Sequence, residues 1–261
     1  MTTADLPHSS VAALIFAGGS GTRAIDKNAP YADVPKQFFE IEGMPILAYT
    51  LQLFQQSPVI DSIYLVSNPS FCDYSAEIGS RYGVTKLVTV VPGGDSALNS
   101  IFLGLQRMVD NGVPDDAVVL VHDGVRPIIT QDLIRKNIET AVTKGNAITC
   151  IPAYETVALR AAESDLVEDV IDRHRAVVLQ APQTFRLHDL YTTNVRAHAD
   201  GVDGLFVDQA GMQRYYGAAL HLVSGFRGNV KITVPEDVRY FTYMVQTGEY
   251  KRITASEEAE K

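Results

Sequence analysis

The residues with the clearest chemical potential lie in a glycine-rich segment that follows an apolar run of strand length, residues 11–16. Its members are Ala17, Gly18, Gly19, Ser20, Gly21, Thr22 and Arg23. A strand that ends in glycines lets backbone N–H groups approach phosphate oxygens without a side-chain clash. Arg23 and the later Lys36, in the string Pro-Lys-Gln-Phe, add fixed positive charge. This pattern predicts a site for a nucleoside triphosphate.

Other interpretations of the glycine-rich segment compete with this one. The spacing of Gly19, Gly21 and Ala24 also fits the dinucleotide fingerprint, but Pro30 and Pro35 interrupt the helix that the fingerprint requires. A P-loop needs a lysine followed by serine or threonine directly after its last glycine, and the sequence lacks that pair here. A plain strand-to-helix turn, with glycines for geometry alone, remains open.

A second motif, His-Asp-Gly-Val-Arg-Pro, begins at His122 and follows the apolar run 118–121. An aspartate at the end of a buried strand, here Asp123, can hold Mg²⁺ against phosphate oxygens. Arg126 can bind a substrate phosphate through its planar guanidinium. The alternative is structural, with Asp123 capping a helix and Arg126 only pairing with it.

Two further motifs carry polar residues at the ends of predicted strands. Gly93, Gly94 and Asp95 precede a helix, in which Ser100 could bond a nucleotide base or cap the helix. Lys231, in Gly-Asn-Val-Lys-Ile-Thr, would add a cation near a transferred phosphate, although a lone lysine is more often solvated surface. The histidines show no ligand spacing, and a phosphate nucleophile needs no general base, so positioning and charge stabilisation would suffice.

Strand-like runs alternate with helical patterns along the chain, as is typical of an α/β fold. The predicted strands are 12–16, 62–67, 86–91, 117–122, 147–151 and 220–223, and the predicted helices include 45–54 and 100–109. Such alternation predicts a Rossmann-like, mainly parallel sheet covered by helices, with ligands beyond the carboxyl ends of the strands.

One stretch, residues 152–183, breaks this alternation. It contains two extended segments, 154–161 and 166–178, joined by a polar turn, which predicts a projecting β-arm. A lone hairpin is marginal in water, so the arm is expected to dock on another subunit. Residues 1–247 are thus expected to form a single domain, and 248–261 a charged, frayed tail.

Composition limits the classes of function. A chain of 261 residues with net charge −9 is unlike a nucleic-acid-wrapping protein, which would be strongly basic. The two cysteines lack metal-ligand spacing and predict ordinary thiols in a reducing compartment. With no apolar run of eighteen residues and no signal-like N-terminus, the expectation is a cytoplasmic protein that binds no membrane.

Together these motifs resemble the cytidylyltransferases that make CDP-alcohols from CTP and polyol phosphates, over about residues 12–243. The family includes a methylerythritol phosphate branch and a ribitol 5-phosphate branch. The resemblance implies a nucleotidyltransferase fold of the GT-A-like type and a homodimer crossed through the arm. It implies that residues 18–23 surround the CTP triphosphate, that Arg23 and Lys36 stabilise charge, and that residues 93–100 hold cytosine.

The same resemblance places the acceptor and the metal. Asp123, Arg126 and Lys231 would border the polyol phosphate and Mg²⁺, while Thr156 and Arg173 of the arm would complete the partner's polyol site. Magnesium-dependent transfer from CTP to a polyol phosphate, with release of pyrophosphate, is the function that this implies. A catalytically silent nucleotide-binding protein on the same fold is an alternative of another class.

The sequence also departs from both branches. The double glycine at Gly18 and Gly19 and the valine before Arg126 are similar to the ribitol branch, whereas Arg173 with its preceding aspartate is similar to the methylerythritol branch. Alanine stands at Ala97, where the methylerythritol branch usually has arginine. Ribitol 5-phosphate is therefore the expected acceptor, and methylerythritol phosphate the alternative.

Overall fold

The computed structural model describes residues 9–19 and 34–255. Its strands are β1 Val11–Ala17, β2 Glu40–Ile41, β3 Met44–Pro45, β4 Ser62–Ser67, β5 Leu87–Pro92, β6 Val118–Asp123, β7 Asn146–Pro152, β8 Val157–Arg160, β9 Val167–Ile171, β10 Val177–Arg186 and β11 Leu222–Ser224. Its α-helices are α1 Ile46–Gln56, α2 Cys72–Arg81, α3 Ala97–Asp110, α4 Gln131–Lys144, α5 Leu187–Ala199, α6 Gln209–Tyr215, α7 Pro235–Gln246 and α8 Glu249–Ala255. The six predicted sheet strands are all present, within one or two residues of their expected ends.

Seven strands form one sheet in the order β11-β7-β10-β6-β1-β4-β5. Neighbours pair in parallel except β10, which runs antiparallel to both β6 and β7. The carboxyl ends of β1, β4, β5 and β6 consequently meet at one edge of the sheet. A mainly parallel sheet, as expected from the sequence, is confirmed.

Helices cover both faces of the sheet, so alternate side chains of β1 are buried on opposite sides. Ala13 and Ile15 pack with α1, α2 and α4 on one side, whereas Ala12 and Leu14 pack with α3, α5 and α6 on the other. A third apolar cluster joins α7 and α8 to α1 and to the loop after β6. Within the described residues, the helices lack the length and apolarity needed to span a bilayer.

Two segments differ from expectation. Residues 177–186 form a strand in the middle of the sheet instead of the return limb of the arm, and the register of β10 against β7 shifts between Leu179 and Gln183. Pro182 lies inside this irregularity, where the ladder does not need its missing N–H. Part of the predicted tail is helix α8, whose Tyr250 is buried against Tyr49 and Phe241.

The arm itself is a separate two-stranded antiparallel sheet of β8 and β9. Its apolar side chains are largely exposed, with Leu166 at 71% and Val170 at 57% of full exposure. A two-stranded hairpin is therefore present, shorter than residues 152–183, and its expected role in dimerisation stays a prediction.

Gly124, directly after β6, lets the ends of β1 and β6 approach each other. A Cβ at this position would lie 2.8 Å from the Cβ of Ala17 and 3.2 Å from a methyl carbon of Leu47. By contrast, a Cβ at Gly19 would meet no atom of the described residues within 4 Å. Packing therefore requires glycine at position 124 but not at position 19.

We expect Gly124→Ala to lower the free energy of unfolding by about 1–3 kcal/mol, because the added methyl group overpacks the core between two strands. Gly19→Ala is the matched control and should leave stability unchanged or raise it by up to about 1 kcal/mol, by restricting the unfolded chain. Urea unfolding of both variants measures the difference. Equal stabilities would show that the approach of β1 and β6 is not tight.

Candidate functional site

A cavity of about 460 Å³ opens where the carboxyl ends of β1, β4, β5 and β6 meet. Its lining residues are Phe16, Ala17, Gly18, Gly19, Lys36, Gln37, Asn68, Pro69, Gly94, Asp95, Ser96, Ala97, Ser100, Asp123, Val125 and Lys231. Four sequence motifs, which lie far apart along the chain, thus contribute to one space. This is the edge of the sheet at which the parallel topology predicts ligand binding.

The described part of the glycine-rich segment forms one wall of this cavity. A Cβ on Gly18 would lie 3.0 Å from Ser100 Oγ. Glycine at position 18 therefore allows Ser100 to pack closely against the backbone. Gly19 lines the cavity, and a Cβ on it would meet no atom of the described residues within 4 Å. Among those residues, a ligand can therefore approach the backbone here without meeting a side chain. The predicted sites at Ser20, Gly21, Thr22 and Arg23 lie outside the described residues.

The segment that begins α3 forms an adjoining wall. Ser96 caps the helix, since its Oγ accepts a hydrogen bond from Asn99 N–H at 3.0 Å. Ser100 therefore does not cap α3; it is 3% exposed and accepts a hydrogen bond from Gly94 N–H at 3.1 Å. Gly93, one residue earlier, donates to Ser67 O at 2.7 Å and is fixed to the end of β4. Ser100 therefore packs between the segment at Gly18 and the segment at Gly93 and Gly94, and it bonds to the second of them.

Lys36 lies in a three-residue 3-10 turn, Lys36–Phe38, at the mouth of the same cavity. The turn is anchored by Phe38, whose ring stacks on Phe71 at 4.9 Å and meets Tyr74 edge-on at 5.3 Å. Lys36 is only 7% exposed although it carries an ammonium group. The aromatic anchor thus fixes the turn whose Lys36 lines the same cavity as the glycine-rich wall.

Asp123 ends β6 and lies between two cations. Its Oδ1 is 2.5 Å from Lys231 Nζ, and its Oδ2 accepts a hydrogen bond from Arg126 Nε at 3.3 Å. Burial alone would raise the pKa of Asp123, but the ammonium of Lys231 and the guanidinium of Arg126 outweigh burial and lower this pKa below its usual value. The carboxylate is therefore ionised at neutral pH.

The loop that carries Lys231 is held by a buried network around Asn229. The carbonyl of Asn229 accepts hydrogen bonds from Arg126 at 2.5 Å and from Gln180 at 3.2 Å, while its side chain donates to Ala181 O at 2.8 Å. Lys231 is thus oriented toward Asp123, and the interpretation of this lysine as plain surface is wrong. Arg126 does pair with Asp123, as the structural alternative foresaw, and it also borders a second cavity.

The second cavity, of about 200 Å³, adjoins the first. It shares Phe16, Ala97, Asp123 and Lys231 with its larger neighbour. Its other lining residues are Ile101, Val121, Arg126, Leu179, Gln180, Ala181, Gln183, Val207, Asp208 and Gln209. A carboxylate and a lysine therefore stand at the junction of two spaces, each of which could hold one reactant.

His122, next to Asp123, is not suited to act as a base. It is fully buried, and its Nε2 lies 3.0 Å from Arg126 O. Burial lowers its pKa to about 4, so the ring is neutral at pH 7 and a poor proton acceptor. Groups of three or more His, Cys, Asp or Glu that could hold a metal are absent from the described residues.

Thr156 and Arg173 stand apart from both cavities of their own chain. Thr156 directly precedes Val157, and Arg173 lies two residues after Ile171; Val157 and Ile171 are the last paired residues at the base of the hairpin. Two residues that line the larger cavity have no role assigned from the sequence: Asn68, which lies outside the motifs, and Gln37, which lies in the Pro-Lys-Gln-Phe string. Asn68 directly follows strand β4 and could have been found by the strand-end rule, whereas nothing in the sequence signals the contacts of Gln37.

Comparisons with known proteins agree with this geometry. Residues 11–246 match the family model "IspD: 2-C-methyl-D-erythritol 4-phosphate cytidylyltransferase". The chain is 36% identical over 240 residues to a ribitol-5-phosphate cytidylyltransferase of Streptococcus agalactiae serotype V, which covers 92% of this chain and 97% of that protein. A protein of the same name from Vibrio parahaemolyticus is 38% identical over 237 residues, with 91% and 96% covered.

The other branch is similar at a comparable level. A 2-C-methyl-D-erythritol 4-phosphate cytidylyltransferase of Geotalea uraniireducens is 36% identical over 229 residues, covering 87% of this chain and 93% of that protein. The crystal structure of the Francisella tularensis enzyme of that name superposes with a TM-score of 0.75 at 27% identity, over 90% of this chain and 99% of the other. Fold, cavity and sequence together show that the chain belongs to the IspD family of cytidylyltransferases.

Proposed function

We propose that this cytidylyltransferase transfers the cytidylyl group of CTP to a polyol phosphate, with D-ribitol 5-phosphate as acceptor. The observation that carries the proposal is the pair of adjoining cavities that share Asp123 and Lys231. The larger one, bordered by the glycine-rich wall, would hold CTP, and the smaller one the polyol phosphate. The relatives named for ribitol 5-phosphate, at 36% and 38% identity, support this acceptor, and 2-C-methyl-D-erythritol 4-phosphate is the alternative.

In this proposal an oxygen of the acceptor phosphate attacks the α-phosphorus of CTP in line. The new bond joins that oxygen to the α-phosphorus, and the bond from the α-phosphorus to the bridging oxygen breaks, which releases pyrophosphate. No proton needs to move, since the acceptor phosphate is already an anion. Lys36, Arg23 and Lys231 would stabilise the charge that develops on the phosphate oxygens. The buried, neutral His122 fits a reaction that uses no general base.

Asp123 fits a role in holding Mg²⁺. It is an ionised carboxylate at the junction of the two cavities, and Mg²⁺ is commonly bound by one or two carboxylates together with substrate phosphates. Bound there, the ion would neutralise phosphate charge. Lys231 and Arg126 would then share the carboxylate with the metal and turn their remaining donors toward phosphate oxygens.

The arm supports a homodimer in which each chain completes the site of its partner. Its exposed apolar residues need a covering surface, and Thr156 and Arg173 stand at its base, away from the cavities of their own chain. Arg173 and Thr156 would contact the polyol phosphate in the other subunit. Free thiols at Cys72 and Cys150, together with CTP as substrate, support a cytoplasmic location.

The acceptor is tested by pyrophosphate release from purified protein, CTP and Mg²⁺. We expect kcat/KM to be at least about tenfold higher with D-ribitol 5-phosphate than with 2-C-methyl-D-erythritol 4-phosphate, since a site built for one set of hydroxyls leaves polar groups unpaired with the other. UTP and ATP in place of CTP are the controls for base recognition. A preference for the methylerythritol substrate would assign the alternative, and release with neither acceptor would favour a silent binding protein.

Lys36→Ala should lower kcat about 10²- to 10³-fold, or about 2.7–4 kcal/mol, because a preorganised cation acts mainly on the transition state. Lys136→Ala removes a lysine that pairs with Asp132 on the surface of α4, and it should keep full activity. Steady-state kinetics and circular dichroism on both variants make the comparison. Near-normal kcat in folded Lys36→Ala would contradict the phosphate assignment of this turn.

Arg173→Ala should raise the KM for the polyol phosphate far more than the KM for CTP, since the arm is proposed to contact only the acceptor. Mixing Arg173→Ala with Lys36→Ala should restore part of the activity, because a heterodimer collects both lesions in one site and leaves the other intact. Activity is measured after subunit exchange has been verified by mass spectrometry. A monomer in sedimentation, or no recovery after exchange, would show that each chain builds its own site.

A further inference from the structure

We propose that Gln37 is a positioning residue that sets the orientation of the glycine-rich wall for the triphosphate. The inference rests on the proposed function, since it takes the wall at Gly18 and Gly19 as a phosphate-binding surface. It concerns a side chain adjacent to the expected catalytic lysine, and it assigns that side chain a task separate from charge stabilisation.

The side chain of Gln37 is bonded to two main-chain carbonyls of the wall. Its Nε2 donates to Ala17 O at 2.7 Å and to Gly19 O at 2.9 Å. A primary amide nitrogen has two hydrogens, so both donors are used. The residue is 1% exposed, which makes these bonds expensive to lose. Gln37 thus holds two carbonyls that lie on either side of Gly18.

Holding the Ala17 carbonyl also orients the N–H of Gly18. The two groups belong to one trans peptide unit, in which C=O and N–H point in opposite directions. Because the carbonyl faces Gln37, the Gly18 N–H points away from it. The clamp also keeps the oxygens of Ala17 and Gly19 from turning toward an anionic ligand in the cavity, where they would repel phosphate.

Glycines make such a clamp necessary. Gly18 and Gly19 carry no side chain that would restrict their backbone, and no atom of the described residues would lie within 4 Å of a Cβ on Gly19. Glycine loses more conformational freedom on ordering than any other residue, and an unclamped segment would have to be ordered by the ligand. The two hydrogen bonds from the buried Gln37 side chain order the glycine segment before the ligand binds.

The clamp also couples the wall to the expected catalytic lysine. Gln37 lies between Lys36 and Phe38 in the same 3-10 turn, and Phe38 is fixed by its ring contacts with Phe71 and Tyr74. One aromatic anchor therefore fixes the turn that carries both Lys36 and the side chain that holds the glycine wall.

The test compares Gln37→Met, Gln37→Glu and the control Gln131→Met in the full chain. Methionine keeps the length of the side chain without either donor, and glutamate keeps its shape but directs an oxygen at the carbonyls. Gln131 is matched because its Nε2 also donates to a main-chain carbonyl, Leu53 O, at 3.0 Å, and it borders neither cavity. Calorimetry measures the Kd for CTP and for inorganic tripolyphosphate, and hydrogen exchange of the free protein follows the amides of Gly18 and Gly19.

We expect both Gln37 variants to raise the Kd for CTP and for tripolyphosphate on the order of 10- to 100-fold, with glutamate the worse of the two. The free variants should exchange the Gly18 and Gly19 amides faster than the wild type, and the KM for the acceptor should not change. Gln131→Met should bind both ligands as the wild type does.

Wild-type Kd values in Gln37→Met would overturn the inference. So would weaker binding with unchanged exchange in the free protein, since Gln37 would then contact the ligand instead of ordering the wall. A wild-type protein that binds neither CTP nor tripolyphosphate would overturn the proposed function itself. The failures of the two proposals are therefore distinguishable.

Discussion

The buried carboxylate of Asp123 is the constraint on which the rest of the site depends. An ionised group that is removed from water must be paired and hydrogen-bonded, or it destabilises the fold. Here two cations meet that need, Arg126 from the loop after β6 and Lys231 from a loop about a hundred residues further along the chain. The ion pairs link β6 to the loop of Lys231, which belongs to no strand of the sheet. They also place the Asp123 carboxylate beside two cationic side chains where the two cavities join.

In the proposed function, this arrangement would allow two reactants with many negative charges to meet in one cleft. CTP and a phosphorylated acceptor repel each other, and the protein as a whole carries a net charge of −9. Cations concentrated at the junction, with a glycine wall that exposes backbone, make the cleft locally favourable to phosphate despite the acidic surface. In the proposed reaction these groups need only hold charge and geometry, because no proton is transferred.

The sequence predicted those parts of the structure that follow from local periodicity and strand-end chemistry. The apolar runs of β1, β4 and β6, and the polar motifs after β1, β5 and β6, could be read without a structure because parallel topology brings such ends together. Strand β10 could not, because Pro182 argues against a central strand unless a register shift accommodates it. The helical residues 249–255 were also missed, since the burial of Tyr250 depends partly on Tyr49, about two hundred residues away.

Within the site, the sequence did not settle the role of any residue whose function depends on contacts with distant parts of the chain. Ser100 was equally a cap or a ligand until Ser96 proved to cap α3. Lys231 was ambiguous until its ion pair with Asp123 placed it at the junction. Gln37 follows Lys36 in the chain, but its two bonds to the wall depend on how a turn packs against a strand end. Long-range contacts of this kind leave no local pattern.

The most direct test of the account is a crystal structure of the protein with Mg²⁺, D-ribitol 5-phosphate and an α,β-methylene analogue of CTP, which replaces CTP and cannot release pyrophosphate. We predict the triphosphate in the larger cavity along Gly18 and Gly19, and the acceptor phosphate in the smaller one beside Arg126. Lys231 should lie between the acceptor phosphate and the α-phosphorus, with the acceptor oxygen in line with the methylene group that replaces the bridging oxygen. An acceptor bound away from the junction, or a triphosphate that does not contact the glycine wall, would contradict the account.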